Sequence, residues 1–204
     1  MSYTFILLRG KANEDPLATV RAYEKHLPFR PRDGKEPPPS ISPESEAMIR
    51  GAADLLVARN PELQLFECGC NYGKLAKLHK LSMNYVRGRY AFLRVLSPSE
   101  EGSGIEIMFA LEHVIASIPF WHAGGRAAAV FERLNTYLQC IRQQTGFFIY
   151  DPQINRVIGA TENLDESLAC YTQAVRRMPS PTSAKPKKKK ASWMWGPSRK
   201  VKPG

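Results

Sequence analysis

Cysteine is scarce in this chain. Four occur in 204 residues, at positions 68, 70, 140 and 170, and their spacing does not form a disulfide framework. Cys140 and Cys170 fall inside apolar helical patterns, where a thiol acts as a small hydrophobe. A reducing, cytoplasmic setting is therefore expected. Long apolar runs are missing too: no stretch approaches the roughly 20 residues that a membrane-spanning helix requires. The opening run from Met1 to Arg9 has no basic lead and no small-residue cleavage site, so it reads as a first strand and not a signal peptide. There are no internal repeats. G-x-S-x-G and H-E-x-x-H are also absent, which excludes the commonest hydrolase and zinc-protease signatures.

Acidic residues are lacking in one region above all. From Pro181 onward the chain has eight basic residues, Lys187, Lys188, Lys189 and Lys190 among them, and no Asp or Glu. Taking those eight from the 29 basic residues leaves 21 against 19 acidic ones. The formal charge of +10 thus belongs to the tail, and the remainder is nearly neutral. An apolar share of 43% is ample for a core. The expected organisation is a domain over 1–178, with a proline-rich surface loop at 28–43, and a disordered lysine-rich tail at 179–204.

Periodicity supplies the elements. Tyr3–Leu8 is a β-type run, and Asp15-Pro16 opens an amphipathic helix to His26. Ser42-Pro43 opens a second helix, which Asn60-Pro61 stops. Leu63–Glu67 reads either as a strand or as the end of that helical region, followed by short helices at Lys74–His79 and Met83–Arg89. A meander is expected from Tyr90–Leu96, the alternating run Ile105–Leu111, and Val114–Trp121, with a turn over Ser97–Gly104. A long helix capped by Gly146, a strand Phe147–Tyr150 and a last helix Leu164–Arg177 complete the set. The expected fold class is α+β, a mostly antiparallel sheet with helices packed on one face.

The chemistry is sparse. The histidines at 26, 79, 113 and 122 lie in separate elements, and a histidine at a strand end is ordinarily a surface or capping group. Gly69–Leu75 has three residues between its glycines where a P-loop has four, and Leu75 stands where Ser or Thr would meet magnesium. Cys68 and Cys70 with His79 give three candidate metal ligands without a fourth, so no metal and no cofactor is expected.

Two resemblances point to partners. Leu75 to Val86 resembles a helix-turn-helix, with Ala76 small and Val86 buried, and with Lys80 where the turn favours glycine. That likeness implies Asn84, Arg87 and Arg89 as nucleic-acid-binding residues, with Lys187–Lys190 on the backbone. Trp193-Met194-Trp195 beside the lysines also suits an anionic membrane surface. From Arg89 to Ile158, the strand end Ile118-Pro119-Phe120-Trp121-His122 and the run ending Tyr150-Asp151-Pro152-Gln153 resemble a group of small bacterial proteins. Some of these resemble immunity proteins of secreted toxin systems, which bind and block a cognate toxin. The leading expectation is a non-enzymatic protein-binding module of that kind. His122 and Arg126 would face the partner while Trp121 packs inward. DNA binding is the alternative.

Overall fold

The computed structural model describes residues 2–10, 14–25, 42–67, 72–79, 82–83, 86, 94–98, 103–110 and 113–178. Along the chain run β1 (Ser2–Leu8), α1 (Pro16–Lys25), α2 (Pro43–Arg59), β2 (Leu63–Glu67) and α3 (Tyr72–His79). They are followed by β3 (Arg94–Pro98), β4 (Glu106–Phe109), β5 (His113–Pro119), α4 (Gly124–Thr145), β6 (Phe148–Asp151), β7 (Arg156–Ile158) and α5 (Asp165–Arg177). The strands form one antiparallel sheet in the order β2-β3-β4-β5-β1-β6-β7. The protein is α+β, as the alternation of apolar residues implied.

The sheet register explains the core. Tyr3, Phe5 and Leu7 of β1 stand opposite Ile118, Ala116 and Val114 of β5, and Ala116 and Val114 stand opposite Ile107 and Phe109 of β4. All eight side chains are buried in one cluster, because residues two apart share a face of a strand. Ile49, Ala52, Ala53 and Leu56 of α2 close over that face, together with Ala127, Phe131, Leu134, Leu138 and Ile141 of α4. The α5 helix adds Tyr171. Tyr137 of α4 reaches out of this layer to donate its hydroxyl to Glu62 at 2.6 Å, which ties α4 to the turn between α2 and β2.

These three helices satisfy the one-face expectation. α1 lies on the other side: Val20, Leu17 and Tyr23 pack with Ile6, Leu8, Phe148 and Tyr150, the alternate residues of β1 and β6. The small cluster they form is separate from the main core.

Local signals set the helix ends. Ser42 accepts from the Ser45 amide at 3.2 Å, and Pro43 occupies a position whose missing N–H costs nothing. Asp15 caps α1 through the Leu17 amide at 3.1 Å. Gly146 ends α4 at φ 68°, a left-handed conformation that suits glycine, and its N–H donates to the Arg142 carbonyl at 2.8 Å.

Some boundaries differ from those read in the sequence. Leu63–Glu67 is a strand, and it draws Ser97 and Pro98 out of the expected turn to pair with Gln64 and Leu63. Proline is tolerated there because it ends the strand. β5 stops at Pro119, since the Trp121 amide turns back to the Pro119 carbonyl at 3.0 Å. Asp151 belongs to β6 and pairs with Arg156 of β7, a three-residue strand too short to show a period. The loop at 28–41, most of 84–93 and the tail at 179–204 lie outside the described residues.

Candidate functional site

Polar side chains gather where β1 begins and where β5 and β6 end. Asp151 is fully buried, and its Oδ2 accepts from the Tyr3 hydroxyl at 2.7 Å and from the Ser167 hydroxyl at 2.6 Å. Its Oδ1 accepts from the Gln153 amide at 2.8 Å. With the Gln153 side-chain amide turned so that both of its ends are satisfied, its nitrogen donates to Asp151 at 3.0 Å and to the Thr4 carbonyl at 2.7 Å. The carboxyl group therefore joins β1, β6 and α5 in one satisfied network, which is how a polar group is accommodated in a core. Burial, followed by the hydrogen bond to Asp151 and its charge, holds the Tyr3 phenol far above the usual phenol range.

A second junction lies beside it. The Tyr171 hydroxyl donates to the Pro119 carbonyl at 2.7 Å and accepts from the His122 amide at 3.0 Å. Its ring stacks on Phe120 with centroids 5.3 Å apart and meets Tyr3 and Phe131 edge-on. Burial raises the Tyr171 phenol as well. His122 Nε2 lies 2.7 Å from the Ser103 carbonyl, an acceptor, so Nε2 carries a proton and donates it there.

The structure corrects one expectation at this point. His122 is 1% exposed and Trp121 is 65% exposed, the reverse of the assignment that put His122 outside. The reason is parity. Val114, Ala116 and Ile118 face the core, and the alternation carries past the end of β5, so position 122 falls inward and 121 outward. His122 is thus a core residue that pins the corner, and the exposed place falls to Trp121.

Trp121 is exposed yet seated. Gly104 has φ 62°, and a Cβ on it would lie 2.7 Å from Trp121 Cζ2 and 2.6 Å from Pro119 Cγ. Only glycine allows that turn to lie against the indole. The His122 ring meets the indole edge-on at 6.0 Å. Next to it α4 begins without a side-chain cap and without an acidic residue in its first turn, and Gly124, Gly125 and Arg126 are exposed.

Asn84, Arg87, Arg89, Lys187, Lys188, Lys189 and Lys190 lie outside the described residues, as do Cys68 and Cys70. Val86 is buried, and its amide donates to the Ser82 carbonyl at 3.1 Å in a helical pattern. Among the described residues no three His, Cys, Asp or Glu side chains converge to hold a metal ion, and no helix is long and apolar enough to cross a membrane. A depression of about 320 Å³ beside the start of α5 is lined by Arg156, Glu162, Asn163, Asp165 and Glu166. Arg156 brackets it by pairing with Glu162 at 3.1 Å and with Glu166.

The Asp151 network was missed in the sequence, where Asp151-Pro152 reads simply as a turn. Its partners are Tyr3, 148 positions away, and Ser167, 16 away, and no spacing rule links them. Comparison with protein-family models, curated proteins and solved structures yields no match.

Proposed function

We propose that the chain is a non-enzymatic protein-binding module of the immunity type, acting in the cytoplasm, which meets a cognate toxin at the corner between β5 and α4. The observation that carries this reading is Trp121, an indole 65% exposed and yet fixed over Gly104. Interface hot spots are enriched in tryptophan, and an aromatic already held in place loses little freedom on binding. Arg126, exposed one turn into α4, extends the same rim. The polar interior supports binding over catalysis, because Asp151 and Ser167 are already engaged with each other and with Tyr3 and closed to solvent.

The test is affinity capture from the native cell, run with and without nuclease, using wild-type, Trp121→Ala and Arg126→Ala baits. A protein held by the wild type and lost by Trp121→Ala supports the reading. Equal retention by Trp121→Ala removes this corner as the surface. Material that disappears on nuclease treatment favours the second reading, DNA binding through the segment after α3. That reading is supported by Val86, which is buried as the helix-turn-helix likeness requires.

A further inference from the structure

We draw no further inference here: the strongest candidate, the exposed patch of Trp121, Gly124 and Gly125 where β5 passes into α4, belongs to the surface already described, and nothing in the structure shows the charge or shape of what would cover it.

Discussion

The hydroxyl of Tyr171 accepts a hydrogen bond from the backbone N–H of His122 and gives one to the carbonyl of Pro119, so one side chain on α5 serves both backbone groups at the end of β5. Tyr171→Phe keeps the ring packing and removes both bonds. A buried donor or acceptor left unpaired costs about 1–3 kcal/mol, so a loss of that size is expected in urea denaturation. Faster amide hydrogen exchange at His122 should accompany it. Unchanged stability would show that water replaces the hydroxyl at no cost.

Asp151 should act as a unit with its donors. Asp151→Ala orphans the Tyr3 and Ser167 hydroxyls, each worth about 1–3 kcal/mol if it stays buried, and removes the acceptor of the Gln153 amide. Ser167→Ala alone removes one donor and should cost less. In a double-mutant cycle Ser167→Ala should add little once Asp151 is gone. Additive losses would mean that the two side chains act independently.

Trp121→Ala should leave stability within about 0.5 kcal/mol of wild type, the usual range for surface positions. It should nonetheless weaken partner capture. A large drop in melting temperature would show that the indole belongs to the core, contrary to its exposure.

Gly104→Ala should do the opposite. A left-handed backbone costs an L-residue about 1–2 kcal/mol, and here the methyl group also meets Pro119 and Trp121. The expected outcome is a lower urea midpoint together with a shifted Trp121 indole N–H resonance. A resonance that stays in place would mean that the glycine does not seat the indole.

Alkaline titration tests the buried phenols. Tyr3, Tyr150 and Tyr171 are all raised, chiefly by burial. In the unfolded chain each ionises near pH 10, so the native state binds more protons above that pH. Their contribution is complete below about pH 10 and is lost as pH rises from there toward the folded values. The phenolate absorbance of these three should therefore appear only as the chain unfolds. A single smooth stage in a chain that stays folded would contradict their burial.

Much of the fold was legible because its signals are local. Ser42-Pro43, Asp15-Pro16 and Gly146 act within one helical turn, and the alternation in β4 and β5 repeats every second residue. The same alternation, carried four residues beyond Ile118, places Trp121 outside and His122 inside, so that part of the site was within reach of the sequence. The Asp151 network was not. Tyr3 and Asp151 meet only because β1 pairs with β6, and that pairing is a property of the whole sheet. β7 escaped notice because three residues carry no measurable period.

The place of β1 in the sheet has a consequence for how the molecule assembles. β1 lies between β5 and β6, so its neighbours are residues 113–119 on one side and 148–150 on the other. During synthesis β1 has neither partner until about two thirds of the domain has been made. The rows that bury Tyr3, Phe5 and Leu7 close over sequence separations above one hundred residues, which is the slow regime for folding. Until then β1 is an apolar strand with two open edges, and the last helix seals it by bringing Ser167 and Tyr171 to the end where it begins.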